Sequence, residues 1–247
     1  MRRLFVLNEC LSSWAKVRDE LTKCYHVPID HIYRIPLFDT SALSIAELCL
    51  LINSVIPKTI INDSLFDCIR QNETEAENTL RRNLSDFLTF IHVCQRIAEI
   101  EDTHEAIVLS NKVVIPTRKV AKDRLRTFLA LGTPHLHHLV KNEDFVLLCH
   151  EGISYSRLSS CEQQCLLVDG IEQPLFIPTS FPTSFAVLLK KNGAFRILHN
   201  LKRFESSLEE QLSALMRSGT LKVTALAYRL FRPHPGANLS VPDTSSP

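Results

Sequence analysis

The chain has 247 residues, of which 45% are hydrophobic and 22% are charged, a composition typical of folded globular proteins and unlike that of disordered chains. Its 28 basic and 27 acidic side chains give a formal net charge of +1, so neither nucleic acid nor an anionic membrane surface is expected as the main partner. This length suits one large α/β domain or a domain with a small appendage, and no apolar run reaches the ~18 residues that a membrane-spanning helix needs.

Short apolar strands alternate with helical patterns along most of the chain. Leu4-Phe5-Val6-Leu7 is typical of a buried strand, and residues 12–24, which place apolar side chains three or four positions apart, predict a helix. Together with a strand over 31–36 they form a βαβ unit. The further predicted elements, in chain order, are helices 43–56, 64–72 and 75–100, strands 105–109 and 113–115, helix 117–131, strands 144–149 and 184–189, helices 193–201 and 206–216, and strand 221–231.

This alternation predicts an α/β fold with a mainly parallel central sheet flanked by helices. Residues 1–232 are expected to form a single domain, within which residues 161–177 show no clear period and are predicted to be irregular. From residue 233 onward the chain is rich in Pro, Ser and Thr, which predicts a mobile tail over 233–247. The solvent side of the longest helix is expected to carry Arg81, Arg82 and Arg96.

The common catalytic signatures are missing from the sequence. Neither the phosphate-binding loops G-x-x-x-x-G-K-[ST] and G-x-G-x-x-G nor the serine-hydrolase turn G-x-S-x-G occurs. His135, His137 and His138 are the densest group of metal-ligand types, but no acidic residue or Cys lies within a few positions, which favours a polar loop. Glu101-Asp102 is a second candidate for a cation, with a solvated loop as the favoured alternative. The eight cysteines are scattered and are expected to be buried, reduced thiols.

Several short motifs occur in an informative order. Val6-Leu7-Asn8 ends the first strand, Cys94-Gln95-Arg96-Ile97 ends the longest helix, Lys190-Lys191-Asn192-Gly193-Ala194 ends a late strand, and Leu221-Lys222-Val223-Thr224-Ala225 opens the last one. Together they resemble glycosyltransferase family 25, the group of lipopolysaccharide-biosynthesis and procollagen galactosyltransferases, over about residues 3–232. The resemblance implies a nucleotide-sugar-transferase architecture of the GT-A type and a nucleotide-sugar donor.

Two departures from this family fall where the chemistry is expected. The first is in the longest helix, where Ser85-Asp86-Phe87-Leu88-Thr89-Phe90 replaces the family's G-x-x-x-S-H stretch. The second is a turn. The family has an acidic E-D-D turn after a strand, whereas here the strand over 105–109 is followed by Ser110, Asn111 and Lys112. Because Mg²⁺ and Mn²⁺ are bound by carboxylates in such transferases, strong binding of either ion at this turn is not expected. Lys112 can instead contact the donor diphosphate directly, as a cationic replacement for the metal, with a solvated loop lysine as the alternative.

The predicted donor site lies at the carboxyl edge of the sheet, where α/β folds bind ligands. Its predicted residues are Asn8, Ser110, Asn111 and Lys112. No metal ligand is predicted, and the catalytic base is not assigned. Candidates for the base, by strand-end position alone, are Asp39, Asp144 and Glu151.

These observations leave three functions open. The first is a divergent glycosyltransferase that moves a sugar from a nucleotide-sugar donor to a glycan or glycolipid acceptor. The second is a catalytically inactive relative that acts as a binding or scaffold protein, and the third is an α/β domain whose likeness to the family is accidental. The absence of an export signal after Met1 predicts a cytoplasmic location, with peripheral association with a membrane where glycolipid acceptors are found.

Overall fold

A computed structural model of the chain shows a β-sheet that is covered by helices on both faces. It describes residues 3–8, 11–41, 43–44, 47, 50, 74–116, 118–130, 143–149, 155–156, 165–168, 171–182, 185–201, 204, 206–226 and 230–233. The following predicted features lie outside these residues: the helix over 64–72, most of the helix over 43–56, the histidines His135, His137 and His138, the candidate base Glu151, and the tail from residue 234 onward.

Most of the described strands and helices agree with those predicted from periodicity, whereas periodicity does not predict the strands over 155–156, 165–168, 171–178 and 232–233. The strands are β1 (Arg3–Asn8), β2 (Ile32–Pro36), β3 (Glu105–Leu109), β4 (Val113–Val114), β5 (Phe145–Cys149), β6 (Tyr155–Ser156), β7 (Cys165–Val168), β8 (Ile171–Pro178), β9 (Ala186–Lys190), β10 (Val223–Leu226) and β11 (Arg232–Pro233). The helices are α1 (Leu11–Tyr25), α2 (Thr74–Glu99), α3 (Lys119–Ala130), α4 (Lys191–Asn200) and α5 (Leu208–Arg217), with a 3₁₀ turn at Ile29–His31.

The main sheet is mixed, and the prediction of a mainly parallel sheet is wrong. Its strand order is β2-β1-β3-β9-β5-β10-β8, and the short strands β6 and β7 both pair with β8. β1 is parallel to β2 and β3, and β5 is parallel to β10, but β9 lies antiparallel between β3 and β5. The alternation rule fails here because the elements described before β9 are the strands β7 and β8, where the rule assumes a crossover helix.

The largest difference is the segment predicted to be irregular over 161–177. It contains β7 and all but the last residue of β8, and the two strands pair antiparallel with Val168 opposite Ile171. A two-residue connection of this kind favours Asp-Gly, and Asp169-Gly170 stands at that position in the sequence. Periodicity misses β7 because its four residues are all apolar and show no alternation.

Each face of the sheet has its own hydrophobic core, because alternate side chains of a strand point to opposite faces. Phe5 and Leu7 belong to the core that α2, α4 and α5 cover, whereas Leu4 and Val6 belong to the core that α1 and α3 cover. The result is the layered α/β arrangement predicted from the sequence, with helices on both sides of the sheet. The face to which a side chain points therefore decides which residues can meet at the strand ends.

The long helix α2 carries the predicted apolar stripe. Its buried members are Leu80, Leu84, Phe87, Leu88, Ile91, Cys94 and Ile97. The prediction that Arg81 lies on the solvent side is wrong, since its guanidinium pairs with Glu77 at 2.7 Å and donates to the carbonyls of Thr40 and Leu43. The chain that follows β2 packs against α2 here, and Arg81 ties the two together.

The described cysteines follow the expectation of buried, reduced thiols only in part. Cys94 and Cys149 are buried and outside any disulfide, and burial raises the pKa of Cys94 well above its usual value. Cys24 is also reduced, but it is exposed on α1. Among the described residues, no helix has the combination of length and apolar character needed to cross a membrane.

Candidate functional site

The carboxyl ends of β1 and β3 lie side by side at one edge of the sheet. The two strands are parallel neighbours, with Val6 opposite Leu109. Asn8 at the end of β1 and Ser110 directly after β3 therefore reach the same edge, as the sequence predicts. This is the edge at which α/β proteins commonly bind ligands.

A tight turn after β3 carries Ser110, Asn111 and Lys112. The N–H of Val113 donates to the carbonyl of Ser110 at 3.2 Å and closes the turn. The N–H of Ser110 donates to the carbonyl of Phe185 at 3.0 Å, and the N–H of Phe185 donates to the Ser110 hydroxyl at 3.3 Å. Ser110 is therefore buried and holds the turn against the start of β9, whereas Asn111 and Lys112 are half-buried at its tip.

The turn lines a small open cleft on the face of the sheet that α2, α4 and α5 cover. The cleft is shallow, because its volume of about 290 Å³ includes open solvent and its enclosed part has room for only about one water molecule. Its lining comes from the strand ends, from α2 and from α5, and consists of Leu7, Asp86, Ser110, Asn111, Lys112, Phe185, Leu208 and Glu209. A ligand larger than a water molecule would therefore lie mostly on the open, solvent-facing side of these residues.

Asn8 lies beside this turn along the edge, but its side chain is directed toward α1. The side-chain amide donates to the Ser13 hydroxyl at 3.1 Å, and Asn8 is only 5% exposed. Along β1, Asn8 has the same parity as Leu4 and Val6, so it points to the face that α1 and α3 cover. Of the four predicted site residues, the structure thus brings three together in the cleft, and Leu7 takes the place expected for Asn8.

Two carboxylates share the cleft with Lys112. The Lys112 Nζ lies 3.4 Å from Asp86 Oδ2, with side chains that are 31% and 24% exposed. Burial raises the pKa of Glu209, the positive charge of Lys112 acts against this effect, and the negative charge of Asp86 adds to it. When all three groups are ionised, the cleft contains two negative charges and one positive charge, so it is acidic with a built-in cation.

Sequence analysis missed Asp86 and Glu209 as site residues. Glu209 is positioned by the N-terminal cap of α5, where the Ser207 hydroxyl accepts from the Glu210 N–H and the Glu210 carboxylate accepts from the Ser207 N–H. The spacing Ser-x-x-Glu signals this cap and the start of a helix. Nothing local indicates that the helix begins against the turn after β3, or that Asp86 of α2 faces the same place.

Asp144 lies at the opposite edge of the sheet, so its interpretation as a base for this cleft is wrong. β5 runs in the same direction as β3, since both are antiparallel to β9, and Asp144 comes directly before β5. Its carboxylate accepts from Arg196 at 2.8 Å and from the backbone N–H of Lys222 at 3.0 Å. These contacts give Asp144 a structural role, in which it ties α4 and the start of β10 to β5.

The remaining acidic candidates offer little to the cleft. Asp39 follows β2, and its carboxylate accepts from the N–H and the hydroxyl of Ser41, which lowers its pKa. Glu101 and Asp102 are exposed in the turn between α2 and β3, as a solvated loop requires. Within the residues that the structure describes, no three His, Cys, Asp or Glu side chains converge in a way that would hold a metal ion.

Comparison with known proteins adds no assignment. No family model matches this sequence, and no curated protein matches it at a significant level. The function therefore has to be argued from the cleft itself.

Proposed function

We propose that this protein is a divergent glycosyltransferase-like protein, of GT-A-like architecture, that binds a nucleotide sugar at the carboxyl-edge cleft and transfers the sugar to a glycan or glycolipid acceptor. The observation that carries the proposal is the meeting of the β1 and β3 ends, where a turn over residues 110–112 lines the cleft. Phosphorylated ligands of α/β proteins bind at such strand ends, where backbone donors and loop side chains converge.

Lys112 is the group that would meet the donor diphosphate. Its partner Asp86 lies 3.4 Å away, and a partly exposed ion pair of this kind contributes only ~0–1 kcal/mol. A diphosphate, which carries more negative charge than one carboxylate, can therefore displace Asp86 at little cost. The first turn of α5 lines the same cleft through Leu208 and Glu209, so the positive end of its helix dipole is already offset by acidic side chains.

The two carboxylates then take roles of their own. Once Lys112 binds phosphate, Asp86 becomes available to accept a hydrogen bond from a sugar or acceptor hydroxyl, which is what a general base must do. Burial raises the pKa of Glu209, so its neutral form is reached more easily than that of an exposed glutamate. A neutral Glu209 would repel a bound diphosphate less than an ionised one.

Calorimetric binding of UDP- and CMP-linked sugars, with and without Mn²⁺, tests this proposal. We expect Lys112→Ala to weaken binding about tenfold or more, because a hydrogen bond to a charged group contributes ~1.5–3 kcal/mol. Asp86→Asn should strengthen binding, since it frees Lys112 and removes a negative charge. The matched control is Lys23→Ala on α1, which also removes a lysine from an ion pair. The Lys23 side chain is 74% exposed, and its removal should leave the affinity unchanged.

Two results would contradict the proposal. One is the absence of binding at millimolar nucleotide sugar in both conditions. The other is unchanged affinity in Lys112→Ala together with weaker binding in Asp86→Asn, since the cleft would then not be an anion site. Release of free nucleotide from the bound donor, followed over hours, measures whether binding leads to chemistry.

A second candidate function is an inactive relative that binds nucleotide sugars or glycans as a scaffold. It is favoured by the Lys112–Asp86 ion pair, because a lysine that is already neutralised occupies the turn at which the family has its acidic residues. This candidate predicts binding without release of nucleotide, whereas the transferase predicts both.

A further inference from the structure

The turn that carries Lys112 is held from two sides, and one of them is the last described strand of the chain. On the first side, Ser110 is bonded to Phe185 through backbone and hydroxyl groups. On the second side, β4 follows Lys112 directly and pairs antiparallel with β11, in which Arg232 lies opposite Val114. The two strands form a sheet of their own, separate from the main one.

β11 is anchored in the core by the two residues that precede it. Phe231 is fully buried and Leu230 is 5% exposed, both in the core that α1 and α3 cover. The N–H groups of Leu230 and Phe231 lie 2.9 and 3.5 Å from the carbonyl oxygen of Leu148 in β5. β11 is therefore a short bridge between the centre of the main sheet and the strand that follows Lys112.

We infer that β11 positions the turn that carries Lys112, so that the shape of the cleft depends on a segment far away in the sequence. β4 is only two residues long and half-buried. On its C-terminal side the Tyr25 hydroxyl donates to the carbonyl of Pro116 at 2.6 Å, and the Val113 side chain packs against the core that α1 and α3 cover. Without β11, the turn keeps these contacts and its anchor at Ser110, but it loses the backbone pairing of β4.

The pairing can be broken in the full chain by one substitution. Within β11, Pro233 has no N–H, so only Arg232 can offer both a donor and an acceptor to β4. Arg232→Pro removes that donor and restricts the backbone of Phe231, whereas Arg232→Ala keeps the backbone intact and serves as the matched control.

Amide hydrogen exchange measures the consequence without any ligand. In Arg232→Pro we expect residues 111–114 to exchange about tenfold faster, the effect of losing one or two backbone hydrogen bonds, with no change over 145–149 in β5. In Arg232→Ala neither segment should change. A truncation pair provides the second measurement: removal of residues 232–247 should reproduce the proline variant, and removal of residues 234–247 should behave as the full chain.

Measurements of nucleotide-sugar affinity distinguish positioning of Lys112 from a general structural role of β11. This part alone rests on the proposed function. Arg232→Pro should weaken nucleotide-sugar binding several-fold in the parent protein and have little further effect in a Lys112→Ala background, because both changes act through the same side chain. Simple addition of the two effects would contradict positioning through Lys112.

The exchange data decide the inference by themselves. Equal exchange at 111–114 in the parent and in Arg232→Pro would overturn it, and so would equally faster exchange over 145–149, since the proline would then have loosened the main sheet. If the exchange changes as expected but no nucleotide sugar binds to the parent protein, the positioning of the turn stands and the proposed function fails.

Discussion

Gly193 lies in the first turn of α4, where the helix passes so close to the start of β5 that a methyl group has no room. A Cβ on Gly193 would lie 2.7 Å from the carbonyl oxygen of Asp144, 3.0 Å from the Asp144 Cβ and 3.1 Å from Leu189 Cδ1. Atoms in ordinary van der Waals contact are ~3.5–4.0 Å apart. Gly193→Ala therefore requires the helix and the strand to move apart.

Backbone hydrogen bonds hold Asp144 in place, and this restraint determines how strongly Gly193→Ala destabilises the protein. Its carbonyl accepts from the Lys190 N–H at 3.0 Å, and its own N–H donates to the Lys222 carbonyl at 2.8 Å. Overpacking costs ~1–3 kcal/mol, and alanine recovers up to ~1 kcal/mol over glycine inside a helix. We therefore expect Gly193→Ala to lower the free energy of unfolding by about 1–2 kcal/mol, and Tm by ~2–4 °C for each kcal/mol.

Urea unfolding followed by circular dichroism measures this difference. The matched control is Asn192→Ala, at the adjacent and exposed position of α4, which gains helix propensity without a clash and should unfold at the same urea concentration as the parent or slightly higher. If Gly193→Ala is as stable as Asn192→Ala, the close approach of α4 to β5 does not exist in solution and the reasoning is refuted.

Two further predictions concern the same edge of the sheet. Asp144→Ala should lower the free energy of unfolding by about 1–3 kcal/mol, because it removes the charged acceptor of the Lys222 N–H. Arg196→Ala should cost under ~1 kcal/mol, because the Arg196 side chain is 48% exposed. Equal losses in urea unfolding would contradict this assignment. Burial raises the pKa of Glu143 in the folded protein, although Lys222 and Lys190 act in the opposite direction. The ionisation of Glu143 therefore lowers the free energy of unfolding as the pH rises from the ordinary pKa of a glutamate through the raised pKa. Glu143→Gln should therefore stabilise the protein at pH 7 and lose that gain near about pH 4, and a gain that is constant across this range, measured by unfolding at both pH values, would disprove the interpretation.

Much of the fold could be predicted because the hydrophobic pattern of a helix or strand depends on residues that are close together in the sequence. The stripe on α2 and the apolar run of β1 identify their own elements. That the ends of β1 and β3 reach the same edge also follows from the sequence, through the rule that parallel strands present their carboxyl ends at one edge, whereas their pairing as neighbours is seen only in the structure. The prediction for Asn8 overlooked the alternation of side chains along β1, which directs the Asn8 side chain to the face opposite the cleft.

The direction of β9 and the composition of the cleft could not be predicted in this way. A strand pattern is the same whichever way the strand runs, so the antiparallel insertion of β9 between β3 and β5 has no local signature. Asp86 and Glu209 reach Lys112 from two helices that are remote from it in the sequence. Only the packing of those helices on the sheet brings the three charges together.

The sequence by itself determined most of the helical and strand segments, the layered α/β class and the edge of the sheet at which the turn over 110–112 and the end of β1 lie. The tertiary structure alone decided that the sheet is mixed, that the cleft is acidic around Lys112, and that β11 holds the turn from the far end of the chain. The physical reason is range: hydrophobic periodicity acts between residues a few positions apart, whereas strand direction, charge pairing and the return of β11 depend on how distant segments pack against one another.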